Sequence, residues 1–232
     1  MERFRLSFLI FLFAALVFGF AESPRIVSAQ QQNQYEEQDV CFRWAFGAIV
    51  KHEREPKFVA ITRDTTLKTG DLFKMFVELK KNCFVYVIYH SAQGEVQMLF
   101  PYNLQQFRTN YQTFKQYFIP QGDEWFELDE HVGCETFYLL ASAQRLHLLE
   151  TLTRDYGSSK PAKKQELAEQ ILAEIRRLKW RHRKFKTFAE RPAQVVATIR
   201  GSQKTVRPDV SSIAVEISAK TFYGRTFTIE HQ

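Results

Sequence analysis

Apolar and polar side chains alternate along much of the first two thirds of the chain. The clearest example is the segment "FVYVIYHSAQGEVQMLFPYN", in which two alternating runs flank a polar turn that contains Gly94. Such alternation, with Gly at the turn, predicts an antiparallel β-hairpin. Similar patterns predict strands over residues 73–79, 84–89, 96–100, 125–128 and 136–142, and over 41–50, where a helix is the alternative.

The pattern changes after residue 160. Leu167, Ile171, Ile175 and Leu178 recur at intervals of three and four, which predicts an amphipathic helix over about residues 160–188. Three closing strands are predicted at 195–199, 213–217 and 226–229, with Tyr223-Gly224 in the last turn. Together these elements predict a mainly β fold: an antiparallel β-sandwich of residues 41–232 with one long inserted amphipathic helix.

The first 29 residues have the pattern of an export signal. Arg3 and Arg5 precede an apolar run of 15 residues, Leu6 to Phe20, and small residues end at Ala29. This arrangement is typical of a signal peptide and predicts a periplasmic or extracellular protein. An uncleaved membrane anchor is the alternative, although a span needs about 20 apolar residues. The polar residues 30–40 are predicted to form a flexible leader.

Positive charge is concentrated near the end of the predicted helix. The chain has a formal net charge of +6, and seven basic residues surround Trp180, among them the candidate binding residues Arg176, Arg177, Arg181 and Lys184. Basic and aromatic side chains together favour an anionic lipid surface or a cell-wall polymer as the partner of an exported protein, and no nucleic acid is expected. A solvated helix face is the alternative.

Residues 102–118 are polar but rich in aromatic side chains. Aromatic rings with neighbouring amides favour a carbohydrate or peptide surface, or else a long loop that folds its rings onto the edge of the sandwich. The candidate binding residues are Tyr102, Phe107, Tyr111, Phe114 and Tyr117.

The three cysteines are Cys41, Cys83 and Cys134. Cys83 and Cys134 each begin a predicted strand, so a disulfide between them is predicted as one of two alternatives, the other being that all three cysteines are small buried side chains. Cys134 near His131 is the sole arrangement in favour of a thiol-dependent enzyme. The chain has no GxSxG, HExxH, GxGxxG or P-loop motif, so no catalytic residue, metal site or cofactor is predicted.

The order of several short motifs resembles a bacterial family, domain of unknown function 4384, over roughly residues 66–149. These motifs are Gly70-Asp71, Val85-Tyr86-Val87, Gly94, Leu99-Phe100-Pro101, Gly133 and Ala141-Ser142. The resemblance implies a β-rich, non-catalytic accessory module without a defined active site. Such modules are often attached to caspase-like peptidase domains or to other domains.

These features predict an exported binding or scaffold protein of the bacterial cell envelope, whose partner is an unknown protein or envelope polymer. Two alternatives stay open. One is an envelope hydrolase or thiol-dependent enzyme, and the other is a protein that docks on anionic lipid or the cell wall through its basic helix.

Overall fold

The computed structural model describes residues 39–51, 55–183, 188–192 and 207–232. The predicted signal peptide, most of the predicted leader, Lys184 and the predicted strand at 195–199 lie outside these residues. The described residues all belong to one unit, Glu36–Gln232. In chain order its strands are β1 (Val40–Val50), β2 (Lys57–Ala60), β3 (Thr65–Leu67), β4 (Leu72–Leu79), β5 (Phe84–His90), β6 (Val96–Phe100), β7 (Gln116–Ile119), β8 (Phe126–Glu127), β9 (Gly133–Ser142), β10 (Phe188–Pro192), β11 (Val215–Ala219) and β12 (Phe222–His231).

Twelve strands of the described residues form two sheets, which confirms the mainly β prediction. The first sheet has the order β10-β11-β1-β4-β7, with β2 also paired to β1 and β8 to β4, and every pairing is antiparallel. The second has the order β3-β12-β9-β5-β6 and is antiparallel except for the parallel pair β3 and β12. The described helices are α1 (Gln106–Thr109), α2 (His147–Ser158) and α3 (Pro161–Arg181), with a 3₁₀ turn at Val210–Ile213.

The inward faces of the two sheets share one core of aromatic and aliphatic side chains. Phe46 of β1 shows the contact, because its ring centre lies 5.1 Å from that of Phe137 and 5.7 Å from that of Phe227, both on the second sheet. Phe73 of β4 lies 5.5 Å from Phe137 in the same way. The alternating positions of the sequence are therefore the ones that meet between the sheets.

Both outer faces are also covered. On the second sheet, Ile171, Ile175 and Leu178 of α3 pack in one cluster with Tyr86 and Leu140. On the first sheet, the 3₁₀ turn and the residue after it pack against β1 and β4. Every residue of β4 is buried, because this strand has neighbours on both faces.

The prediction of one long helix over residues 160–188 is wrong in its extent. Helix α3 ends at Arg181, and a separate helix, α2, precedes it. The two helices are separated by Ser159 and Lys160, whose extended backbone is favoured by the following Pro161. None of the described helices is both long enough and apolar enough to cross a membrane.

The prediction of a turn at Tyr223-Gly224 is also wrong, because both residues lie inside β12. The chain leaves β11 at Ala219, in the first sheet, and enters β12 at Phe222, in the second. This connection crosses between the layers and is not a hairpin. Strand β11 begins two residues later than the predicted 213–217, since a 3₁₀ turn occupies the first position.

Candidate ligand-binding site

Three polar side chains occupy inward-facing positions at one end of the second sheet. On β5, Tyr89 lies on the same face as Val85 and Val87, and on β9, Glu135 lies on the same face as Phe137. His231 is the last residue of β12. Tyr89 pairs with Phe137, and Glu135 pairs with Ile229, so the three side chains are diagonal neighbours across adjacent strands. This end of the shared core is therefore polar and ionisable.

A cavity of about 160 Å³ lies between the sheets at this end. Four aromatic rings line it, and their centres form a continuous series: 5.1 Å from Tyr89 to Phe137, 5.5 Å from Phe137 to Phe73 and 5.1 Å from Phe73 to Phe126. We call this space the acid–aromatic cavity, after these four rings and the carboxylate of Glu135. Its volume is close to that of the roughly 150 Å³ apolar cavity that binds benzene in another protein.

Glu135 is the most deeply buried carboxylate of the acid–aromatic cavity, at 4% exposed. Its Oε2 accepts a hydrogen bond of 2.5 Å from the hydroxyl of Tyr89. Burial, followed by this bond to the carboxylate, raises the pKa of Tyr89 well above its ordinary value, so the hydroxyl keeps its proton and donates. Within the part of the chain that the structure describes, Glu135 forms no ion pair.

The other two carboxylates of the acid–aromatic cavity differ from Glu135 in exposure and pairing. Glu127 and Asp129 are exposed, and each has a basic neighbour: Lys51 Nζ lies 3.7 Å from Glu127, and His131 Nδ1 lies 3.1 Å from Asp129. His231, which is buried, also lines the cavity, and its Nε2 lies 3.0 Å from the hydroxyl oxygen of Thr69. Among the described residues, no lysine or arginine lines the cavity.

The lining residues of the acid–aromatic cavity include no Ser, Thr or Cys that could act as a nucleophile. Among the described residues, no group of three or more His, Cys, Asp and Glu side chains is arranged to hold a metal ion. A buried carboxylate, a hydroxyl donor and apolar rings can bind and orient a small molecule.

The structure places most of the predicted aromatic binding residues against the core. Tyr111 and Tyr117 are hydrogen-bonded through their hydroxyls to the backbone nitrogens of Val85 and Gln112, at 2.8 and 2.7 Å. Tyr102 donates to the carbonyl of Phe118 at 2.7 Å, and Phe107 packs edge-on against Tyr111 with ring centres 4.8 Å apart. In this set Phe114 alone is largely exposed, at 68%. These residues do not form a shared exposed surface.

The predicted basic residues that the structure describes lie on the last turns of α3. Arg176, Arg177 and Arg181 are exposed, and Trp180 between them is 64% exposed. Arg177 forms an ion pair with the buried Glu174. Arg176 and Arg181 therefore remain as basic groups for an external partner, next to the exposed indole ring.

The predicted disulfide between Cys83 and Cys134 is wrong, and all three cysteines are free. Strands β5 and β9 are antiparallel, with Phe84 paired to Ser142, so the beginnings of the two strands lie at opposite ends. The two cysteines are separated by about nine strand positions, or roughly 30 Å. Cys83 is buried, and burial raises the pKa of its thiol to about 12. Cys134 is exposed.

The residues of the Gly-Asp motif form a structural connection. Gly70 has a φ of +86°, which favours glycine, and Asp71 is fully buried. The carboxylate of Asp71 accepts hydrogen bonds from the backbone nitrogens of Lys51 at 2.8 Å and Lys68 at 2.9 Å. It therefore joins the end of β1 to the turn before β4.

The other motif residues also contribute to the fold. Phe100 is fully buried in the shared core. Gly133 has a φ of +144°, and a Cβ at this position would come within 2.5 Å of the Cβ of Ala92. Gly94, in the turn between β5 and β6, has a φ of +85°. Backbone conformation and packing account for these residue types without any catalytic role.

Sequence reasoning missed Tyr89, Glu135 and His231 as site residues. The signal that could have identified them is the alternation along each strand. Each residue falls at an inward-facing position, where an ionisable side chain is unusual.

Comparison with known families gives one match. Residues 66–145 match the family model described as Domain of unknown function (DUF4384), which confirms the resemblance found from the motifs. Neither the curated proteins nor the solved structures contain a match to the chain.

Proposed function

We propose that this chain is an exported, non-catalytic binding or scaffold protein of the bacterial cell envelope. The signal-like residues 1–29 support export. The two-layered β-sandwich that we infer from the shared core supports a rigid module. The ligand would bind in the acid–aromatic cavity.

The observation that carries this proposal is that the motif residues, apart from Leu99, lie outside the lining of the cavity. The motif side chain of Asp71 is used in hydrogen bonds within the fold, and Gly133 is required by backbone conformation and by contact with Ala92. The cavity offers one buried carboxylate, one hydroxyl and four rings, but no nucleophile. This combination favours recognition of a ligand over cleavage of a bond.

Cell fractionation of the expressed full-length chain tests export. We expect it in the osmotic-shock or membrane fraction, with a mature N-terminus at residue 30 by mass spectrometry. A variant with a charge inside the apolar run, Leu16→Arg, is the matched control and should stay in the cytoplasm. Recovery of the unaltered chain in the cytoplasm with residue 1 intact would refute export.

Thiol labelling separates the binding proposal from the thiol-enzyme alternative. Cys134 is exposed, so an alkylating reagent can reach it. A non-catalytic role predicts that Cys134 reacts with iodoacetamide no faster than the cysteine of an unstructured control peptide. Alkylation much faster than that of the peptide would instead favour a thiol-dependent enzyme.

A second proposed function is docking on an anionic lipid surface. Trp180 is 64% exposed, and the guanidinium of Arg183 lies 5.0 Å from the centre of its ring. An exposed indole among basic groups is suited to a membrane interface. We expect co-sedimentation with vesicles that contain phosphatidylglycerol. The pair of substitutions Arg176→Glu and Arg181→Glu should abolish it, whereas Arg154→Glu on α2 should not.

A further inference from the structure

The carboxylate of Glu135 is buried without a cation. Its Oε2 accepts a hydrogen bond from Tyr89, and no hydrogen bond to Oε1 is formed by the described residues. The residue is 4% exposed and lines the acid–aromatic cavity. A positive group at this oxygen would pair with the carboxylate inside the fold, where a charge pair is screened less than in bulk water.

The aromatic rings of the cavity favour the same kind of partner. The faces of aromatic rings carry negative partial charge and attract ammonium groups within about 6 Å. Four rings line the cavity, from Tyr89 through Phe137 and Phe73 to Phe126. Rings and a carboxylate around one small space provide both cation–π attraction and a hydrogen-bond acceptor.

We infer that the acid–aromatic cavity binds a small alkylammonium ion, with the ammonium group at the free oxygen of Glu135 and the alkyl chain among the rings. This inference rests on the proposed binding function and names its ligand class. The cavity of about 160 Å³ accommodates a ligand near the size of benzene, such as n-butylammonium. A primary ammonium donates three hydrogen bonds, and one of them can reach the carboxylate.

A neutral or anionic ligand of the same shape fits the cavity less well. An alcohol keeps the alkyl contacts but leaves the charge of Glu135 unpaired. A carboxylate ligand would place a second negative charge beside Glu135, with Glu127 and Asp129 nearby and no lysine or arginine in the lining. The expected order of affinity is therefore ammonium, then alcohol, then carboxylate.

The test is an NMR titration of the isotope-labelled, purified chain with n-butylammonium chloride, n-butanol and sodium n-butyrate at equal ionic strength. We expect saturable shifts of the amides around Tyr89 and Glu135 with n-butylammonium, about tenfold weaker binding of n-butanol, and no binding of n-butyrate. Glu135→Gln should weaken n-butylammonium binding about tenfold or more. Glu130→Gln, an exposed carboxylate outside the cavity, is the matched control and should leave binding unchanged.

The titration of the unaltered protein alone can refute the inference, so the test does not depend on whether Glu135→Gln folds. Equal affinity for n-butylammonium and n-butanol, tighter binding of n-butyrate, shifts confined to other surfaces, or no saturable shift with any probe would each overturn it. None of these results touches export, which cell fractionation tests separately. Cytoplasmic recovery would overturn the envelope proposal and leave the measured ammonium affinity intact.

Discussion

Removal of a single hydroxyl group, by Tyr86→Phe, should loosen the attachment of α2 to the second sheet. The fully buried hydroxyl of Tyr86 donates to Glu150 Oε1 at 2.7 Å and accepts from the backbone nitrogen of Leu146 at 3.0 Å. Arg145 also donates to Glu150, through Nε at 3.0 Å and through a terminal nitrogen. The substitution keeps the ring and its packing, so it creates no cavity beyond the lost oxygen atom.

The expected loss follows from the two hydrogen bonds. A bond to a charged carboxylate is worth about 1.5–3 kcal/mol, and an ordinary bond to a backbone nitrogen about 0.5–1.5 kcal/mol. Arg145 remains bonded to Glu150 in the variant, so the carboxylate is not left alone and the total should lie in the lower half of the sum. We expect Tyr86→Phe to reduce the free energy of unfolding by about 2–3 kcal/mol, which corresponds to a fall in Tm of roughly 5–10 °C.

Urea denaturation followed by circular dichroism measures this loss, provided that the m value is unchanged. Tyr138→Phe is a matched control on the neighbouring strand. Tyr138 faces the same helical layer, and its hydroxyl makes no hydrogen bond within the described part of the chain. We expect a change below about 0.5 kcal/mol for this control. The reasoning would be refuted by equal losses in the two variants, or by a loss below about 0.5 kcal/mol for Tyr86→Phe.

Three further predictions concern Glu150, Asp71 and Gly133. Burial by itself raises the pKa of Glu150, but the hydrogen bonds from its partners outweigh burial and lower the pKa. The contribution of Glu150 to stability is therefore present above its ordinary pKa of 4.5 and is lost as the pH falls through the lowered pKa. Glu150→Gln should therefore flatten the acid side of a plot of urea midpoint against pH. Asp71→Ala should cost about 2–5 kcal/mol in urea denaturation, because it removes a buried carboxylate that accepts hydrogen bonds from the backbone nitrogens of Lys51 and Lys68, while the exposed Asp64→Ala should cost little. Gly133→Ala should lower Tm by several degrees in a thermal melt, since the added Cβ would lie 2.5 Å from that of Ala92; an unchanged Tm would contradict the backbone role of this glycine.

The hairpin of β5 and β6 was predictable because two signals agree there. Residues 84–89 and 96–100 alternate, and Gly94 supplies the positive φ of the turn. The break between α2 and α3 was less accessible. Helix α2 is short and contains two threonines, a glycine and a serine, which have low helix propensity, so its sequence favours a helix less strongly. Its position depends on the buried bond between Tyr86 and Glu150, a tertiary contact that local pattern does not contain.

The predicted disulfide failed for a topological reason. The sequence shows where strands begin, but it does not show in which direction neighbours run. In an antiparallel pair, cysteines at the two strand beginnings lie at opposite ends, as Cys83 and Cys134 do on β5 and β9. The acid–aromatic cavity was missed because its residues come from six segments of the chain. Phe73 and Phe126 pair within the first sheet, and Glu135 of the second sheet becomes their neighbour only when the two sheets are stacked.

Apart from Leu99, the residues that carry the family resemblance and those that line the cavity are different and have separate physical roles. Asp71 and Gly133 help to determine where β4 and β9 begin, through hydrogen bonds to backbone nitrogens and through close contact with Ala92. Glu135 lies two residues after Gly133, so the turn that this glycine permits sets the register in which the carboxylate faces inward. A shift of one residue would turn Glu135 toward the helical layer and bring Cys134 into the cavity. The backbone conformation around Gly133 therefore determines that residue 135 faces the cavity. The side chain at residue 135 determines which ligand charge the cavity accepts.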